Sequence, residues 1–154
     1  MSNKTSVHQT LEQRRATLAA ECSADKGFSS REYRSLAKKV PAMLMTNGLG
    51  QTLAYLQAKA KGSETTAEGL IYKHLSKWLK HPNCPVKWID QSGRPVSDDD
   101  LLKRIQNVPS VVYRQATREA LIFAGWLKRF AEALAPKEGE GREEAGETEE
   151  SSHE

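Results

Sequence analysis

Apolar residues recur at steps of three and four through most of this chain, and strict two-residue alternation is scarce. Tyr33, Leu36, Ala37, Val40, Met43 and Leu44 mark one helical face, and Leu49, Leu53, Leu56 and Ala60 a second. Tyr113, Ala116, Ala120, Phe123, Leu127, Phe130 and Leu134 form the longest seam, about 35 Å at 1.5 Å per residue. A helix of that length must cross most of a small domain and organise the others.

Punctuation between these stretches sets the expected boundaries. Thr10 with Gln13 forms a capping box for a first helix that carries Leu11, Leu18, Ala19 and Cys22 and stops at Lys26-Gly27. Ser29 and Glu32 open the second helix. Pro41 lies inside it and removes a backbone donor, but the apolar period continues in phase, so a kink is expected rather than an end. Asn47-Gly48 tolerates positive φ and makes a corner before a third helix that ends at Lys61-Gly62. Thr65 and Glu68 open a fourth, which buries one of each pair Leu70/Ile71, His74/Leu75 and Trp78/Leu79 and ends at His81-Pro82.

Residues 82–97, with three prolines and Ser92-Gly93, exclude a helix and leave room for a short strand over Val86 to Ile89. Ser97 is placed to cap a fifth helix with Asp98, Asp99 and Asp100 in its first turn. Pro109 fits the first turn of the last helix, which Pro136 ends. The expected fold is all-α: a compact single-domain helical bundle of about six helices with a long C-terminal helix. It occupies residues 1–136 and is followed by a disordered acidic tail, 137–154, which has no large apolar residue to offset ordering entropy.

Charge changes this picture. Residues 1–136 carry 21 Lys/Arg against 12 Asp/Glu, a balance of +9, whereas residues 137–154 carry 2 against 8, a balance of −6. The formal total of +3 thus hides a basic body, which favours a polyanionic partner, nucleic acid or a membrane surface. The N-terminus has no apolar core of a signal peptide, and no apolar run approaches the roughly 20 residues that span a bilayer. Cys22 and Cys84 make no disulfide framework, so a cytoplasmic protein with reduced thiols is expected.

Candidate chemistry is thin. Three consecutive aspartates on a helix point to different sides and do not converge on one ion; capping explains them better. His74, His81 and Cys84, spaced seven and three, match no compact zinc pattern. Gly48-Leu49-Gly50 follows a helix and lacks the Lys-Ser/Thr of a phosphate loop. No nucleophile has a partner at a recognisable spacing. No catalytic residue, metal or cofactor is therefore assigned. The basic residues remain: Arg31, Arg34 and Lys38 form one helical stripe with Lys39 beside it, Arg114 and Arg118 lie one turn apart, and Lys128-Arg129 follow. Such side chains supply most phosphate contacts.

The segment TNGLGQTLAYL, preceded by YRSLAKKVP and followed by YRQATREALIFAGWLKRFAEAL, resembles the small helical subunit of the type III-B (Cmr) CRISPR effector complex, from about Leu11 to Leu134. Residues 82–97 and the acidic tail stand outside the resemblance. It implies a compact all-α protein without nuclease activity. It also implies copies that stack along a filament with other Cmr subunits and line the groove where target RNA pairs with guide RNA. By position in the matching segments, the implied RNA contacts are Arg15, Arg34, Lys38, Lys39, Arg114 and Arg118, with Asn47 and Gln51 as polar contacts; Asn47 serves equally as a helix cap.

Two other readings compete. A helix-turn-helix DNA-binding regulator is one, although Leu49, Gly50 and Leu53 make a poor start for a recognition helix. A helical adaptor that binds only protein is the other. The acidic tail either competes with RNA for the basic body or serves only solubility.

Overall fold

Helices start where a side-chain oxygen can take up the amides that the first turn leaves free. The computed structural model describes residues 9–135, and within them five helices form: α1 Leu11–Cys22, α2 Arg31–Ala60, α3 Ala67–Leu79, α4 Leu101–Gln106 and α5 Ser110–Ala133. Thr10 and Gln13 make the expected capping box, with Gln13 N donating to Thr10 Oγ1 at 3.1 Å and Thr10 N to Gln13 Oε1 at 2.7 Å. α1 ends at Cys22, short of Lys26-Gly27, and buried Phe28 anchors the turn that follows. The cap of α2 is Ser30 rather than Ser29, accepting from Tyr33 N at 3.0 Å. The cap of α3 is Thr66 rather than Thr65, because the Thr65 hydroxyl is bonded to Ser63 while Thr66 accepts from Gly69 N.

α2 stays helical through Pro41 and leaves helical geometry only at Gly48 (φ 82°, ψ 170°). The expected second and third helices are therefore one element bent at the expected corner, and the described residues hold five helices where about six were expected for the bundle. That backbone combination is nearly closed to residues with a Cβ. At the corner, Thr52 Oγ1 donates to Gly48 O at 2.8 Å, and Gly50 N donates to the Tyr113 hydroxyl at 2.8 Å.

α2 packs along both α3 and α5, and α1 rests mainly on α5. Because α3 meets α1, α2 and α5 together, it buries all six of Leu70, Ile71, His74, Leu75, Trp78 and Leu79, not one of each pair. α5 buries Ala116, Ala120, Phe123 and Leu127 as expected. Tyr113 and Phe130 are half-buried, and Leu134, just past the helix, is exposed. Pro109 is the N-cap of α5 rather than a first-turn residue. The loop Ser63–Thr66 presses so closely on α3 that a Cβ at Gly69 would sit 1.9 Å from the Ser63 carbonyl oxygen.

Residues 82–97 hold one isolated antiparallel bridge, Ile89 to Pro95, in place of a strand. The Trp88 indole donates to Leu79 O at 2.8 Å, and Arg104 lies over its ring at 5.3 Å. Ser97 caps nothing. α4 starts at Leu101, so Asp98, Asp99 and Asp100 precede the helix; Asp100 is its N-cap but makes no capping bond. Its carboxylate is taken instead by Gln57 Nε2 (2.6 Å) and the Tyr72 hydroxyl, a tertiary demand that the local sequence does not announce. Pro136 and the expected tail, 137–154, lie outside the described residues.

Gly48→Ala is expected to cost about 1–3 kcal/mol through backbone strain. Gly125→Ala, mid-helix in α5 with open space around its Cβ position, is expected to gain about 0.5–1 kcal/mol by propensity. Urea unfolding of the two variants beside the parent checks both signs.

Candidate nucleic-acid interface

A carboxylate inside a helix seam must find donors or lose its charge. Glu119 lies in the Ala116–Ala120–Phe123 face of α5 and is 4 % exposed. Arg15 Nε donates to Glu119 Oε1 at 3.0 Å, Arg15 NH2 donates to Oε2 at 2.6 Å, and Trp78 Nε1 donates to Oε1 at 3.1 Å. The pair is bidentate, with side-chain exposures of 12 % and 6 %. One carboxylate thus ties α1, α3 and α5 together. Arg15, expected among the RNA contacts, has its guanidinium turned into the bundle. Sequence reading passed over Glu119, yet an acid at helical spacing within an apolar stripe is itself a signal that a buried partner exists.

The other expected residues divide by exposure. Lys38, Lys39, Asn47, Gln51, Arg114 and Arg118 are exposed, whereas Arg34 is half-buried and engaged. On the N-terminal half of α2, Arg31, Lys38, Ala42 and Met45 follow one exposed stripe, basic at one end and apolar at the other. The Gly50–Tyr113 bond draws the first turns of α5 to the Gly48 corner. Tyr113 thereby meets the part of α2 between Asn47 and Gln51, and Arg114 follows it in the chain. Asn47 is exposed and is the last residue in helical geometry before Gly48.

The arrangement closest to a catalytic one is a chain of two buried side chains, Tyr33 and His74, that ends on the half-buried Asp25. Tyr33 hydroxyl and His74 Nδ1 are 2.7 Å apart, and His74 Nε2 and Asp25 Oδ2 are 2.7 Å apart. With Tyr33 donating to Nδ1 and Nε2–H donating to Asp25, neutral His74 satisfies both neighbours. Burial pushes His74 below its ordinary value of 6.5, against the opposing pull of Asp25. The hydrogen bond from His74 holds Asp25 below its ordinary 3.8. Burial drives the Tyr33 phenol up, and Tyr33 is 0 % exposed, so this chain holds structure and offers no accessible nucleophile. Both nitrogens of His74 are thereby occupied, and no group of three or more His, Cys, Asp or Glu among the described residues is arranged to hold a metal ion. Cys22 and Cys84 are buried, and desolvation pushes both thiols up to about 12. Among the described residues, no helix is long and apolar enough to cross a membrane.

The family model for CRISPR-associated protein (Cas_Cmr5) matches residues 11–134, from the first residue of α1 to the residue after α5. The CRISPR system Cmr subunit Cmr5 of Thermus thermophilus is 31 % identical over 111 residues, covering 72 % of this chain and 82 % of that protein.

Glu119→Ala leaves the Arg15 guanidinium uncompensated in a largely buried site, and a loss of about 3–5 kcal/mol is expected in urea unfolding. The Tyr33–His74–Asp25 chain makes the fold acid-sensitive. The native pKa of His74 is depressed, so the unfolded state binds the proton more tightly. The stability from His74 is full above pH 6.5 and is lost as pH falls below it; that from Asp25 is full above pH 3.8 and is lost in turn. Urea midpoints measured from about pH 7 to 5 should fall for the parent and flatten for His74→Gln.

Proposed function

The chain belongs to the Cmr5 family of CRISPR-associated proteins, and from that membership we propose that it is a non-catalytic small subunit of an RNA-guided Cmr effector particle. Its exposed cations hold the backbone of the guide or target RNA. The particle works in the cytoplasm, copies of the subunit stack along it beside other Cmr subunits, and no cofactor takes part.

One observation carries the RNA reading: the segregation of charge by burial. Of the two acids of α5, Glu119 is withdrawn into the core with Arg15 and Glu132 lies exposed in its last turn, while Arg114 and Arg118 near the start of the same helix remain exposed. Lys38 and Lys39 are likewise exposed on α2, on a body whose balance is +9. Surface Lys and Arg on rigid helices contact phosphates irrespective of base, and in guided recognition the pairing strand reads the sequence. Because Arg15 is committed to Glu119 and Arg34 is half-buried and engaged, the RNA-facing set is Lys38, Lys39, Arg114 and Arg118, with Asn47 and Gln51 beside the Gly48 corner.

The helix-turn-helix reading loses support for a steric reason. The start of its recognition helix would be Leu49–Leu53, and Leu49, Thr52 and Leu53 are buried. Gly50 is packed against Tyr113 and Ile105. A helix end clamped in the core has no edge to offer a groove.

The combined variant Lys38→Ala, Lys39→Ala, Arg114→Ala and Arg118→Ala, assembled into the complex, is expected to bind target RNA more weakly. Its salt dependence should be shallower by up to about 0.7 per phosphate contact removed. Fluorescence titrations across a salt series measure both, and parental affinity with a parental slope would refute the RNA-contact reading.

A further inference from the structure

A groove of about 850 Å³ opens between the C-terminal end of α2 and the exposed face of α3. None of the residues assigned to RNA lines it. Its size is within the range of roughly 300–1,000 Å³ typical of built binding pockets. Ala60, Gly69 and Ser76 line it from buried positions, with the half-buried ring of Tyr72 between them. The Ser76 hydroxyl is buried with no hydrogen-bond partner.

The charges around the groove are of both signs. Lys73, Lys77 and Lys80 come from α3, while Glu64 and Asp99 come from the two neighbouring loops. Lys80 Nζ donates to Asp99 O at 2.8 Å, tying α3 to the segment before α4. Lys73 Nζ stands 3.8 Å from the Asp25 carboxylate. Lys77 makes no ion pair within 4 Å and no hydrogen bond among the described residues, although its charge reaches Asp25, so its ammonium can meet an incoming group.

We infer that this groove seats an extended polypeptide segment of a different subunit, with an apolar side chain on its floor and a carboxylate at Lys77. An RNA strand carries unbroken negative charge and would lie against Glu64, Asp99 and Asp100. A polypeptide supplies apolar side chains, both signs of charge and backbone hydrogen-bonding groups within one segment. Residues 136–154 of this chain contain no large apolar side chain to fill the floor. The inference rests on the reading that the chain works inside a multi-subunit particle.

The two native thiols are buried and pushed up to about 12, which makes an introduced surface cysteine selectively reactive near neutral pH. Lys77→Cys and, separately, Lys38→Cys are labelled with a fluorescent maleimide in three states: free subunit, assembled particle, and particle treated with ribonuclease that still sediments as an assembly. Labelling of Lys77→Cys is expected to slow about tenfold on assembly and to stay slow after ribonuclease. A rate equal to that of the free subunit overturns the inference. So does protection that disappears with the RNA, or protection of the free subunit that rises with its own concentration, which would mark a second copy as the occupant. Lys38→Cys reports on the RNA reading independently: it should be protected in the particle and released by ribonuclease.

Discussion

A buried carboxylate stays charged only where donors replace the water it has lost, and Glu119 is held by three: two from Arg15 and one from the Trp78 indole. These donors come from α1 and α3, so α5 cannot slide or rotate against either without exposing an unpaired charge. The Trp78 ring in turn stacks on Phe123, with centroids 5.7 Å apart, one turn along from Glu119. Burial of apolar faces would tolerate several packings of helices this regular. A bidentate pair with a shared indole tolerates far fewer, and the register of α1, α3 and α5 follows from it.

A second constraint is the corner at Gly48. It lets one chain segment lie along both α3 and α5 while changing direction, and the Tyr113 hydroxyl meets the amide of Gly50 there. The first turns of α5 are thereby fixed against α2. The exposed residues on both sides of that junction, Asn47, Gln51 and Arg114, inherit their relative positions from a core contact. Rigid placement of this kind suits a surface that tracks a phosphate backbone, where spacing matters more than the chemistry of any single side chain.

The protein therefore sorts its ionisable groups by task. Arg15–Glu119 and Tyr33–His74–Asp25 are spent on holding helices together, and Asp100 on joining Gln57 of α2 to Tyr72 of α3. Lys38, Lys39, Arg114 and Arg118 on α2 and α5 stay exposed. The α2–α3 groove combines both signs of charge with an apolar floor. The described residues thus present two chemically distinct surfaces, each supported by different internal contacts.

The helices themselves were legible in the sequence because their causes are local. Apolar spacing marked the buried faces of α2 and α5, Thr10 and Gln13 marked the start of α1, and Gly48 marked the corner. Caps were misplaced by one residue at Ser29 and Thr65, where neighbouring hydroxyls are locally equivalent and only the path of the incoming loop selects between them. Asp98, Asp99 and Asp100 looked like a helix start, and α4 begins after them because Asp100 is claimed from afar by Gln57 and Tyr72. The fate of Arg15 was not legible at all. A cation on an amphipathic helix reads the same whether it faces solvent or a carboxylate 104 positions away. The sequence alone determined which segments coil, which faces are apolar and that the body is basic, since propensity, periodicity and charge are properties of near neighbours. Which charges are buried in pairs and which remain free for a partner was decided only by the tertiary structure, because desolvation depends on what the fold brings within hydrogen-bonding reach.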